Sequence, residues 1–127
     1  MTPWKIFAVW FAAVAVGTML VALPDSDGPV VRISDMHGPG PLDLAGIGLI
    51  AVGSVVLWVW LIRRARRIAA RLGGAGTAWL AAVFAASLAV VAWSVLTDSG
   101  WWWAVGAGAA TAVQLIALGA SGDLAGV

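Results

Sequence analysis

The chain has no cysteine, and it also lacks glutamate, tyrosine and asparagine. The missing cysteine excludes disulfides, thiolate nucleophiles and cysteine-ligated metal or iron–sulfur centres. Without asparagine the chain has no N-glycosylation site. Histidine occurs once, so aspartate, serine and threonine supply most of the candidate acids, bases and nucleophiles, and no nucleophile–base pair is evident. We therefore expect no catalytic function.

Charge is also scarce, at 10% of residues against 62% that are hydrophobic. Soluble domains carry about 25% charged residues, and a small domain in water cannot cover so much apolar surface. The composition predicts an all-α integral membrane protein with one transmembrane domain, folded as an up-down antiparallel bundle of four helices. Stretches long enough to cross about 30 Å of hydrocarbon lie at residues 3–23, 44–62, 77–96 and 101–119.

Local signals predict where the helices begin and end. Thr2 is suited to an N-cap and Pro3 to the first helical position, and Pro24 ends the first helix. Asp43 is the predicted N-cap of the second helix. We expect that helix to continue past residue 62 as a basic extension to residue 72, where Gly73 and the following glycine form its C-cap. The linkers are then residues 24–43 and 63–76.

The first span resembles a secretory signal peptide in having Lys5 before an apolar core. Its apolar stretch is longer than that of a typical signal, and the end of the span offers no good small-residue cleavage site. We expect this helix to be retained.

The distribution of cations predicts the orientation in the membrane. The linker after the second span is rich in arginine and Lys5 precedes the first span, whereas Arg32 is the one cation in the other linkers. Because lysine and arginine in short loops favour the cytoplasmic side, both termini and the basic linker are expected to be cytoplasmic. Heavy use of alanine, glycine, valine and arginine is typical of a GC-rich bacterial genome, which places the chain in a bacterial plasma membrane.

Tryptophan occurs nine times, and tryptophan favours the two membrane–water boundaries. Eight of the nine lie near predicted span ends and are interpreted as anchors, namely Trp4, Trp58, Trp60, Trp79, Trp93, Trp101, Trp102 and Trp103. Trp10 lies deeper, and we expect it to pack against a neighbouring helix or against lipid tails.

No histidine lies in a span, no lysine lies in the last three, and no aspartate lies within any of them. The chain therefore has no residue suited to haem ligation, a retinal Schiff base or proton coupling in the membrane, and no cofactor is expected.

Small residues at four-residue spacing predict close helix packing in lipid. They are Ala13 and Gly17; Ala78, Ala82 and Ala86; Ala81, Ala85 and Ala89; Gly106 and Ala110; and Gly108 and Ala112. Polar side chains expected near mid-membrane are Ser54, Ser87, Thr111 and Gln114. The amide of Gln114 is expected to bond across helices, with Ser87 or Ser54 as partner. A solute path or a contact with another protein is the functional alternative.

The linker of residues 24–43, called the outer linker because we expect it to face away from the cytoplasm, contains Asp35 and His37, the single histidine of the chain. An unperturbed histidine pKa near 6.5 makes His37 a candidate pH sensor. One histidine with flanking carboxylates offers too few ligands for a structural or catalytic metal site, so a solvated loop histidine is the simpler interpretation.

The inner linker carries a cluster of cations, Arg63, Arg64, Arg66, Arg67 and Arg71. Such clusters attract anionic lipid headgroups and determine topology, and an acidic protein partner is the alternative. No nucleic-acid partner is expected.

Two functional hypotheses follow. The first is a non-catalytic accessory, assembly or sensory subunit that docks on a larger membrane partner. The second is an oligomeric pore, holin or facilitator for a small neutral solute, based on Thr111 and Gln114 in the glycine- and alanine-rich fourth span.

Overall fold

A computed structural model describes residues 2–24 and 38–122. Within these residues the chain forms four α-helices. Their bounds are α1 Pro3–Ala22, α2 Pro41–Arg63, α3 Ala65–Leu96 and α4 Trp102–Ala120. The predicted linker residues Arg32, Asp35 and His37 lie outside the described residues.

All four helices are long and apolar enough to cross a membrane. The prediction of an all-helical, multi-pass membrane protein with four candidate spans is therefore confirmed in its coarse form. The chain divides into two compact units, Met1–Trp60 and Leu61–Val127. The first unit contains α1 and most of α2, and the second contains α3 and α4.

The start of α1 follows the local sequence signals. Thr2 is the N-cap with extended backbone angles, and Pro3 occupies the first helical turn, where its missing N–H leaves no bond unmade. The first intrahelical bond runs from the Ile6 amide to the Thr2 carbonyl at 3.2 Å. At the other end Leu23 is the C-cap and is itself extended, as the following Pro24 requires.

The start of α2 differs from the prediction. The helix begins at Pro41, and the Leu44 amide donates to the Gly40 carbonyl at 2.9 Å. Asp43 is therefore three residues inside the boundary and is not the N-cap. Its carboxylate accepts a hydrogen bond from the Gly40 amide at 3.1 Å, which is the return half of a capping box. Proline at the first helical position and an acid in the first turn both favour a helix start before the predicted one.

We predicted that the basic segment extends α2, but it does not. Helix α2 ends at Arg63, Arg64 leaves helical geometry with φ −105° and ψ 8°, and α3 begins at Ala65. Gly73 then interrupts α3 with φ 73° and ψ 166°, a conformation that is essentially restricted to glycine. The prediction that helical geometry ends at Gly73 is confirmed, but residues 65–72 form a short helix between two breaks.

The first unit is held together by glycine-mediated contact between α1 and α2. A β-carbon built on Gly17 would lie 2.7 Å from the Gly46 carbonyl oxygen and 2.5 Å from Cγ1 of Ile50. Further along, a β-carbon on Gly53 would lie 2.5 Å from Cβ of Ala13. Because residue numbers fall along α1 as they rise along α2, the two helices are antiparallel. Backbone contact this close permits Cα–H···O bonds and dense packing without long side chains.

The second unit uses one glycine of α4 in the same way. A β-carbon on Gly106 would lie 2.7 Å from the Ser87 carbonyl oxygen and 3.0 Å from the Val91 amide nitrogen. The short turn that joins α3 to α4 makes them antiparallel. In that turn the Ser99 amide bonds the Ser94 carbonyl at 3.0 Å, and Asp98 adopts φ 50°, as in a Schellman-type C-cap.

Candidate interaction surfaces

The alanine pattern of α3 faces away from α4. The buried residues of α3 beyond Gly73 are Ser87 and Ser94, and Val91 contacts α4 beside Gly106. At 3.6 residues per turn, these positions share one side of the helix. The alanines occupy the opposite side and are all exposed: Ala78, Ala81, Ala82, Ala85, Ala86 and Ala89. We call this set the α3 alanine face.

The small residues of α4 divide in a similar way. Gly106 and Ala110 are buried and form the predicted packing pair, whereas Gly108 and Ala112 are exposed. A β-carbon on Gly108 would meet nothing within 4 Å. Spacing alone did not separate the two pairs. The separating signal is the position of each small residue relative to the larger buried residues Val113 and Leu118 on the same helix.

Ser87 and Gln114, two of the predicted mid-membrane polar residues, each donate a hydrogen bond within their own helix. Gln114, 8% exposed, donates from Nε2 to the Ala110 carbonyl at 3.2 Å. The Ser87 hydroxyl donates to the Val83 carbonyl at 2.7 Å. These bonds run within α4 and α3 respectively. The bond from Gln114 across helices to Ser87 or Ser54 stays a prediction. Back-bonding to the preceding turn is an ordinary way to satisfy a polar group in an apolar helix.

The structure also buries polar atoms whose environment the sequence analysis did not predict. Among the described residues, the indole nitrogen of Trp10 and the hydroxyl of Ser94 are buried without a hydrogen-bond partner. Trp10 was predicted to pack against a neighbouring helix or against lipid tails, and at 5% exposure it packs within the protein. No sequence pattern marks an unpaired donor, because pairing depends on the neighbouring backbone.

Aromatic side chains are exposed at several helix ends. Trp101 and Trp102 stack with ring centroids 5.4 Å apart and an interplanar angle of 10°. Trp4, Trp79 and Trp93 are exposed as well. Exposed indole rings near the ends of candidate spans are what a headgroup-level anchor requires.

The arginines of residues 63–71 differ in their exposure and in their contacts. Arg63, Arg66 and Arg67 are exposed and Arg64 is half-buried. The guanidinium of Arg71 packs against the end of α4, since a β-carbon on Gly122 would lie 2.9 Å from its terminal nitrogen. Within the described ranges, 2–24 and 38–122, no three His, Cys, Asp or Glu residues are grouped so that they could hold a metal ion.

No protein-family model, curated protein or solved structure matches this chain. Its function must therefore be argued from its own surfaces. Those surfaces are the α3 alanine face, the arginine segment and the exposed tryptophans.

Proposed function

We propose that this chain is an accessory, assembly or sensory subunit of a larger membrane complex, without catalytic activity, and that the α3 alanine face contacts the partner. The observation that carries the proposal is the exposure of that entire face on the side of α3 opposite α4. Helix association in lipid depends on close backbone approach at small residues. A continuous small-residue face that does not pack on α4 is suited to a helix of another protein.

The proposal places the chain in a bacterial plasma membrane with both termini in the cytoplasm. The arginines between α2 and the rest of α3 support this orientation, because cations in short loops favour the cytoplasmic side. Lys5 at the start of α1 lies on the same side in this arrangement.

The test is affinity capture of the tagged protein from native membranes in a gentle detergent, followed by native sizing and mass spectrometry. We expect a larger membrane protein in fixed stoichiometry. Ala82→Leu adds bulk to the centre of the α3 alanine face and should lower recovery of the partner by about tenfold or more, as overpacking a close contact costs about 1–3 kcal/mol.

Ala51→Leu is the matched control, since Ala51 is exposed on α2 and the same bulk is added at mid-helix. Equal capture by the Ala82→Leu and wild-type proteins would contradict the assignment of the face. Because the chain lacks cysteine, the Ala82→Cys variant provides a further check. Its efficient disulfide cross-linking to a second copy would contradict a larger heterologous partner.

An oligomeric pore, holin or facilitator has less support. The side chains that motivated it, Thr111 and Gln114, donate to backbone carbonyls of α4 at 2.8 Å and 3.2 Å. Leakage of a small neutral solute from liposomes containing the purified chain alone would favour this alternative over the subunit.

A further inference from the structure

The arginine segment forms a short helix that is set apart from the candidate spans. Arg64 breaks the chain from α2, and Gly73, with φ 73° and ψ 166°, breaks it from the rest of α3. Residues 65–72 between the breaks span about 12 Å at 1.5 Å per residue. Apolar helices of spanning length flank the segment on both sides, so insertion of both helices would place it at a membrane boundary, at the level of the lipid headgroups.

Two contacts fix the orientation of this short helix within the second unit. Ile68 is 6% exposed and is the buried residue of the segment. The Arg71 guanidinium rests on Gly122 at the C-terminal end of α4, where the helix macrodipole favours a cation. Gly122 has φ 88°, so a side chain there is disfavoured by both the backbone conformation and the guanidinium. Arg71 is therefore a positioning residue.

Two of the cations, Arg63 and Arg66, lie far from the described acidic groups of their own helices. Arg63 and Arg66 are exposed, and the first turn of α3 contains no acidic residue. Among the described residues the carboxylates are Asp43 and Asp98, at the opposite ends of α2 and α3. About 30 Å of helix separates Asp43 from Arg63. Arg66 also lies in the first turn of α3, where a cation opposes the helix macrodipole, so an anion bound beside it relieves an unfavourable arrangement.

We infer that the segment 63–72 binds the headgroup of an anionic phospholipid, with Arg63 and Arg66 facing the phosphodiester and Arg71 holding the helix in place. Guanidinium groups form paired hydrogen bonds with phosphate oxygens. The site is one-sided, since Ile68 faces the protein and the exposed arginines face the headgroup layer. The inference does not depend on a protein partner.

The test uses the purified full chain in nanodiscs that contain equal amounts of phosphatidylcholine and phosphatidylglycerol. Native mass spectrometry counts the lipids that remain bound. We expect preferential retention of phosphatidylglycerol, and a fall of about fivefold for each exposed arginine replaced by glutamine, as attraction near a charged surface predicts. The variant is Arg63→Gln with Arg66→Gln, and its charge-preserving counterpart is Arg63→Lys with Arg66→Lys.

Lys5→Gln is the control for loss of an exposed cation elsewhere, and it should retain the preference. Unchanged phosphatidylglycerol retention in the double glutamine variant would overturn the inference. If that variant does not fold, the wild-type protein still decides, because the preference must weaken as sodium chloride is raised. A preference that is insensitive to salt would also overturn it.

A second experiment distinguishes a lipid headgroup from free phosphate. Thermal stability is measured in detergent with phosphatidylglycerol, phosphatidylcholine or inorganic phosphate added. A rise in melting temperature with phosphatidylglycerol alone supports the lipid site, and an equal rise with inorganic phosphate contradicts it. Arg71→Gln should lower the melting temperature even without added lipid, because it removes the contact that positions the segment.

Discussion

The backbones of Gly17 and Gly46 lie against each other, so that a β-carbon on either residue would meet the carbonyl oxygen of the other. The obstruction is backbone on both sides and cannot be relieved by a side-chain rotation. The hydrophobic effect does not drive helix association in lipid, and close packing has that role. The contact between α1 and α2 therefore depends on the absence of side chains at these two positions.

Gly46→Ala should destabilise the protein by about 1–3 kcal/mol, the usual cost of forcing extra volume into a tight contact. The free energy of unfolding is measured by titration with sodium dodecyl sulfate in mixed micelles. Gly48→Ala is the matched control on the same helix, because a β-carbon there would meet nothing within 4 Å. The control should be neutral or slightly stabilising, as alanine favours helix over glycine. Equal effects of the two changes would contradict the contact.

Gly106→Ala should have a comparable effect in the second unit. The added carbon would meet the Ser87 carbonyl oxygen at 2.7 Å and the Val91 amide nitrogen at 3.0 Å, so α3 and α4 must separate, at a cost of about 1–3 kcal/mol. The same titration measures the loss. Gly108→Ala, two residues further along α4 and on its exposed side, should leave stability unchanged. A loss in the Gly108 variant would place that residue in a contact as well.

The contrast between Gly106 and Gly108 shows what the sequence predicts and what it does not. Apolar length locates the spans, because a stretch that can cross hydrocarbon is a local property of the chain. Four-residue spacing of small residues marks a smooth helix face, but it does not specify which helix, if any, packs there. The α3 alanine face has regular spacing and is nevertheless exposed.

Helix boundaries were predicted well where one strong local signal acts and less well where several compete. Thr2 and Pro3 start α1 as expected. At α2 we predicted Asp43 as the N-cap, but the helix begins at Pro41 and Asp43 accepts the Gly40 amide from inside it. The break at Arg64 has no glycine or proline to mark it, and arginine itself is a good helix former. The sequence could therefore not assign the basic segment to α3.

Gly73→Ala should destabilise the protein by about 1–3 kcal/mol, because φ 73° with ψ 166° is strained for any residue with a β-carbon. The added methyl group would meet no atom within 4 Å, so the loss of stability comes from the backbone conformation alone. Gly74→Ala is the neighbouring control, also in open space and within the helix that follows the break. We expect no loss there by the same unfolding titration. A Gly73 variant as stable as the Gly74 variant would show that the break is not required.

Gln114→Leu should change the free energy of unfolding by less than about 1 kcal/mol, since hydrogen bonds between side chains in membrane proteins average about 0.6 kcal/mol. The Gln114 amide donates to Ala110, a carbonyl that the helix backbone already uses as an acceptor. Leucine is of similar size and suits the buried position. Val113→Ala, at a neighbouring buried site, shows that the titration detects lost packing in α4. If Gln114→Leu instead costs more than about 2 kcal/mol, its amide stabilises more than its own helix, and the interhelical role predicted from the sequence would be supported.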